Sequence, residues 1–252
     1  MITTYYEGKS LNYFRDKILT EKQIQFVSAC IIQSLIYLRR EKIIHRDIMM
    51  KNIIMDEDKY FNVIDFSFSI NYLDKNNKKN NMITYNMVTP PEMLNNSEYD
   101  YNSDYYRLGS IIYYLIFKNY PFTIKNKNNQ TDIFINYKNI TNYTYSCIDF
   151  LNKLLVSDYK KRIGFKNISE LMNHDWFKGF NWTKLEKRKI ISPYSLIKND
   201  NNNLFCSKFF FPIKYITKFQ MRFKNKIYSK LIKNFDFVNS FIIKKIINNN
   251  NK

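Results

Sequence analysis

Glycine and proline are scarce, 4 and 5 among 252 residues, and alanine occurs once, at Ala29. The shortage accompanies an excess of Asn, Lys, Ile, Tyr and Phe, the residues of A/T-rich codons. That bias accounts for much of the basicity, 40 Lys and Arg against 22 Asp and Glu for a net charge of +18. A charge of this size usually marks a nucleic-acid or membrane-surface partner; with a compositional cause at hand, no specific nucleic-acid partner is expected. Cysteine is sparse too. Cys30, Cys147 and Cys206 are odd in number, scattered and outside any metal-ligand spacing. This argues against a disulfide framework and for a reduced compartment. No uncharged apolar run reaches transmembrane length, and the N-terminal residues lack a secretory-signal pattern. The expected location is therefore cytoplasmic, and the chain is long enough for one or two domains with a sizeable core.

What stands out against this background is His45-Arg46-Asp47-Ile48-Met49-Met50-Lys51-Asn52, followed thirteen residues after Asn52 by Asp65-Phe66-Ser67. Between them lie an apolar run Ile53-Ile54-Met55, a polar turn Asp56–Lys59 and a second run Tyr60–Ile64, the pattern of a tight hairpin. Two strands folded on each other would bring Asn52 and Asp65 side by side. Upstream, Thr20 and Gln23 form a capping box. Ile24, Val27, Ile31, Leu35 and Leu38 then recur at helical spacing over residues 20–41, with the apolar stripe facing the core.

The form H-R-D-x-x-x-x-N … D-F-x resembles the catalytic and metal-binding loops of eukaryotic protein kinases. The resemblance implies an ATP- and Mg²⁺-dependent transfer of phosphate to protein hydroxyls. Asp47 would accept the hydroxyl proton, while Asn52 and Asp65 would hold the metal on the ATP phosphates. His45 would pack against Phe66 without proton chemistry, and Arg46 would pair with a phosphorylated residue of the activation segment. Residues 2–11 resemble the hinge, placing Tyr6, Ser10 and Ile54 beside the nucleotide; Ser10 falls where the family has an acidic residue on the ribose. Thr89-Pro90-Pro91-Glu92 resembles A-P-E, whose Glu would form a buried ion pair with Arg162. Ser103–Gly109 resembles D-x-W-x-L-G, with Asp104 supporting the catalytic-loop backbone and the apolar segment Leu108–Phe117 as the buried central helix. Ser146 is expected to open a further amphipathic helix. His174 beside Trp176 resembles H-P-W-F and is read as packed.

The run from Phe177 through Trp182 to Tyr194 resembles the C-terminal extension of the AGC group of Ser/Thr kinases, and Ser67 fits the branch with D-F-S in place of D-F-G. The expected architecture is α+β and mainly helical: a protein-kinase-like C-terminal lobe with short β-hairpins and no N-terminal β lobe. The expected units are a kinase domain at 1–178, an AGC-like extension and linker at 179–203, and a basic aromatic tail at 204–252. That tail has eleven Lys and Arg against one acid, Asp236. It is read as poorly ordered or loosely helical, with membrane contact as the less favoured alternative. For the polar stretch 74–81, a regulatory loop and a compositional insertion both stay open, and Thr84 and Tyr85 are candidate phosphosites.

Departures from the family pattern accompany the match. No Gly-rich phosphate loop and no V-A-I-K lysine precede the hinge. The family's loop lysine is replaced by Met49, and Lys51, two positions later, is the candidate substitute. Acidic positions that favour basic substrates fall on Lys51 and Tyr114, and the run Thr84–Val88 before A-P-E is degraded. ATP would thus have half a site, and transfer by this chain alone is expected to stay at background. The alternative reading is a pseudokinase, a protein-interaction module without catalysis.

Overall fold

The computed structural model describes residues 8–73, 88–94, 100–121 and 142–195, all within one compact unit. The expectations for Tyr6, for 74–81, for Thr84 and Tyr85, for the linker and for the tail 204–252 lie outside the described residues.

A short 3-10 turn, Leu11–Phe14, precedes helix α1, Glu21–Arg40. Thr20 opens α1 through the expected capping box: its hydroxyl accepts from the Gln23 N–H at 3.3 Å, and its own N–H donates to Gln23 Oε1 at 3.0 Å. Arg39 and Arg40 sit in the last turn, where cations complement the helix dipole. The expected stripe is wider than its spacing suggested. Phe26 through Ile32 are buried without a break, because α1 is covered by strands on one side and helices on the other.

Strand β1 (Ile43–Ile44), the 3-10 turn Met50–Asn52, β2 (Ile53–Met55), β3 (Phe61–Val63) and β4 (Ile70–Asn71) follow. They form two antiparallel pairs. β2 and β3 pair as Ile53↔Val63, Ile54↔Asn62 and Met55↔Phe61, the hairpin read from the sequence, with its second strand a residue shorter at each end. β1 pairs with β4, Ile44 opposite Ile70, and so brackets the whole loop system. Gly8 lies against this hairpin: a Cβ there would meet the Met55 carbonyl oxygen at 1.7 Å.

Helix α2 (Pro91–Leu94) carries Glu92, and α3 (Tyr101–Phe117) runs through the centre of the core. α3 begins earlier than the apolar run suggested because Asp100 caps it, accepting the Tyr101 N–H at 2.6 Å. Lys118 ends it in the left-handed conformation, φ 60°. Helix α4 (Tyr145–Leu154) also starts earlier than expected: the N-cap is Thr144, not Ser146, and its hydroxyl accepts from the Cys147 N–H. Glu21 of α1 fixes that cap by accepting from both the Thr144 N–H and its hydroxyl. Helices α5 (Ser169–Met172) and α6 (Trp182–Glu186) follow.

The ion pair expected between Glu92 and Arg162 is present and fully desolvated. Arg162 Nη1 and Nη2 meet the two Glu92 oxygens at 2.8 and 2.9 Å, in a bidentate fork. The remaining donors go to the carbonyls of Asn102 and Val156, and Ser103 Oγ donates to Glu92 Oε1. Removing one partner strands the other charge in the core. Glu92→Ala is expected to lower unfolding free energy by about 3–5 kcal/mol, with part of the loss recovered when Arg162→Met is added. Urea denaturation of the single and double variants measures both. A single-variant loss under about 1 kcal/mol would place the pair in the range of a surface contact.

Candidate functional site

The loop Ile44–Asn52 is held from beneath by α3. Asp104, 2% exposed, accepts the His45 N–H at 2.8 Å on one carboxylate oxygen and the Arg46 N–H at 2.9 Å on the other. Two non-glycine residues of the site stand in the left-handed region, Arg46 at φ 66° and Asp65 at φ 65°. Such a conformation costs on the order of 1–3 kcal/mol per residue. Side-chain bonds hold both. Arg46 Nε donates to the Phe68 carbonyl at 2.5 Å, and Asp65 Oδ1 accepts from the Ser67 N–H at 3.2 Å and the Ser67 hydroxyl at 2.5 Å.

His45 is wholly buried and its tautomer follows from its partners. Nδ1 accepts the Asp47 N–H at 3.2 Å, so Nε2 carries the proton and donates to the Ile64 carbonyl at 3.1 Å. Its ring meets Phe66 edge to face, centroids 4.9 Å apart. Burial pushes the imidazole down to about 4, helped by the charge of Arg107 and opposed by the Ile64 carbonyl and Asp65. His45 thus packs against Phe66, as the resemblance implies, and its imidazole stays neutral near pH 7.

Asp47, also 2% exposed, is the centre of the polar group. Asn52 Nδ2 donates to its carbonyl at 2.9 Å and to its carboxylate Oδ2 at 2.8 Å. Lys51 Nζ lies 4.0 Å from the same Oδ2 on a side chain more than half exposed. Because the Asn52 amide nitrogen is committed to Asp47, its Oδ1 is turned away. The hairpin then sets the second acid: the Ile64 N–H donates to the Asn52 carbonyl, which puts Asp65 one residue past that pair. Asp65 and Asn52 thus offer hard oxygen donors of the kind Mg²⁺ takes. Ser10 and Ile54, two of the nucleotide-side candidates, are joined by an antiparallel bridge. Among the described residues, no group of three or more His, Cys, Asp or Glu is built to hold a metal.

Three contributions escaped the sequence reading. Ser67 fixes the Asp65 carboxylate, as just described. Arg107 lies on the same face of α3 as Asp104, three residues on; it is fully buried, and its three guanidinium nitrogens have no hydrogen-bond partner among the described residues. Residues 188–194 close over the back of the hairpin. Arg188 pairs with Asp56 at 2.5 Å and stacks on Tyr60, the Tyr60 hydroxyl bonds both Ile190 backbone groups, and the buried Tyr194 donates to the Gln23 carbonyl. His174 is packed against Phe150 and bonded to Asp149 and the Trp176 N–H, as expected.

A protein-kinase-domain family model matches residues 1–177, and the chain belongs to the protein kinase family. It is 30% identical over 202 residues to serine/threonine-protein kinase Sgk1 of Xenopus tropicalis, covering 77% of this chain and 48% of that one. The sgk-1 serine/threonine-protein kinase of Caenorhabditis elegans is 28% identical over 79% of this chain and 44% of its own. Developmentally-regulated protein kinase 1 of Dictyostelium discoideum is 31% identical over 73% of this chain and 26% of its own. The resemblance is thus to Ser/Thr protein kinases and is AGC-like. The chain spans about half the length, or less, of these curated relatives.

His45 and Asp104 oppose each other in their response to pH. His45, lowered from 6.5 to about 4, contributes stability that is present above pH 6.5 and lost as pH falls to 4. Asp104, raised by burial from 3.8 to about 6, contributes stability that is present below pH 3.8 and lost as pH rises to 6. Each change is worth about 3 kcal/mol, so in the native protein the two nearly cancel between pH 4 and 6. Asp104→Asn removes one arm. Its unfolding free energy is expected to fall by about 3 kcal/mol more than the wild type's between pH 6.5 and 4. Denaturation series across that range measure the difference, and parallel profiles would disprove it.

Proposed function

We propose that the site serves phosphate transfer from ATP to Ser or Thr hydroxyls of a protein substrate, with Asp47 as the base and Asn52 and Asp65 as the Mg²⁺ ligands. The observation that carries this reading is the Asp47–Asn52 bond, with Asp65 delivered beside it by the paired hairpin. The Asp47 carboxylate is held by Asn52 rather than by a backbone cap, so its free oxygen can meet a hydroxyl proton. Mg²⁺, when bound, supplies charge neutralisation on the phosphates. Ser67 keeps Asp65 in its left-handed conformation for that task. By the hinge resemblance, Ser10, Ile54 and Tyr6 would contact the nucleotide.

Lys51 decides between catalysis and its absence. Met49 removes the family's loop cation, and one such charge is worth about 10²–10³ in rate by analogy with oxyanion donors. Lys51 supports a substitute, since its ammonium stands 4.0 Å from Asp47 with room to swing outward. The second reading, an interaction module without catalysis, draws on Met49 and on the degraded run Thr84–Val88. The D-F-S branch of the AGC group and a cytoplasmic location belong to the same proposal.

Two readouts test it on the full chain. Mg²⁺-dependent stabilisation by ATP in a thermal melt is expected for the wild type and is expected to vanish in Asp65→Asn. Incorporation of γ-phosphate into a Ser/Thr peptide library is expected to stay at background for this chain alone; incorporation above background that falls by at least about 10²-fold in Asp47→Asn, with ATP stabilisation retained, would establish transfer. ATP stabilisation indifferent to Asp65, and incorporation indifferent to Asp47, would replace catalysis with the interaction reading.

A further inference from the structure

Lys51, 4.0 Å from Asp47, sits on a turn packed against a segment whose exposed cations are held in place. The 3-10 turn Leu11–Phe14 packs on the turn Met50–Asn52 that carries Lys51. Within and just beyond the first turn, the Lys17 ammonium stacks on the Tyr13 ring at 3.7 Å. Arg15 Nε donates to the Tyr114 hydroxyl at 2.6 Å, and its two terminal NH₂ groups make no hydrogen bond among the described residues. Lys118 reaches back from the end of α3 to the Lys17 carbonyl. Arg15 and Lys17 are exposed. Asp16 is the one acid between residues 8 and 20.

We propose that Arg15, Lys17 and Lys118 form, with Lys51, a docking surface for acidic protein substrates, selecting Asp- or Glu-flanked hydroxyls. The proposal rests on the kinase reading of Asp47 and adds the substrate class. Charge complementarity carries it. A guanidinium with free terminal NH₂ groups takes a carboxylate in a bidentate fork. A lysine already stacked on an aromatic ring loses little further freedom on binding.

The experiment measures binding rather than turnover, so it does not depend on catalysis. Fluorescein-labelled serine peptides, one with Glu and one with Lys three positions to either side of the Ser, are titrated with the full chain by anisotropy. The Glu peptide is expected to bind at least about tenfold tighter than the Lys peptide. Arg15→Glu with Lys17→Glu is expected to cost about tenfold for the Glu peptide, while Lys166→Glu with Lys178→Glu, exposed and outside this surface, is expected to cost less than about twofold. Should the double Glu variant fail to fold by circular dichroism, Arg15→Gln with Lys17→Gln carries the same comparison.

Equal losses in the two charge-reversed proteins would show attraction to net charge alone and overturn the docking surface. A preference for the Lys peptide would overturn it too. Selective binding of the Glu peptide with phosphate incorporation indifferent to Asp47→Asn would support the docking surface while refuting the catalytic reading.

Discussion

Both oxygens of the Asp104 carboxylate are taken by backbone N–H groups of His45 and Arg46, and the arrangement of the site follows from that clasp. It fixes the loop to the central helix at the point where the backbone turns through a left-handed residue. From there Asp47 is directed by its own N–H on His45 Nδ1, and Asn52 is directed by Asp47. The carboxylate is fully desolvated, and burial raises it to about 6. Its two charge-assisted hydrogen bonds offset only part of that cost. A support of this kind is rigid because its alternatives are worse: a loop released from Asp104 would leave an unpaired acid in the core.

The same reasoning makes Arg107 informative. A buried guanidinium without hydrogen bonds is among the costlier things a core can hold. One helical turn from Asp104, its charge lowers the proton affinity of both Asp104 and His45. It therefore favours the ionised acid that grips the loop and the neutral imidazole that reads the Asp47 N–H. Both protonation states are those the hydrogen-bond pattern requires, so Arg107 contributes to the electrostatics without touching either group.

Much of the fold was legible because it is local. Period and capping identified α1 to within a residue, and a polar turn between two apolar runs identified the β2–β3 hairpin, from which the proximity of Asn52 and Asp65 follows. Boundaries failed where a polar side chain, not an apolar one, sets the start: Asp100 begins α3 and Thr144 begins α4. The Glu92–Arg162 pair was found through its resemblance to a motif, since nothing local links residues seventy apart. What stayed hidden depends on pairing across the chain without a motif. Tyr194 on Gln23 and Arg188 on Asp56 join residues 171 and 132 apart, and a tyrosine in an aromatic-rich chain gives no sign that it is core. Arg107 carried no signal at all, because composition places arginine at the surface.

Exchange of a loop lysine at 49 for a lysine at 51 moves a cation rather than deleting one. Met50 between them is buried, 2% exposed, while Lys51 is exposed on the 3-10 turn that packs against Leu11–Phe14, the turn just ahead of Arg15 and Lys17. A charge at that position has two uses. Drawn inward it meets Asp47 and the phosphate that would cross there; left outward it joins the cations that face an incoming chain. An acidic substrate would reconcile them, because its carboxylates would satisfy the outer cations while Lys51 turns to the phosphate. A basic substrate would instead meet like charge at the entrance, where juxtaposed cations discriminate by repulsion as effectively as contacts do by attraction. On the proposed docking surface, the same substitution that weakens the resemblance to kinases of basic substrates would also set the direction of selectivity.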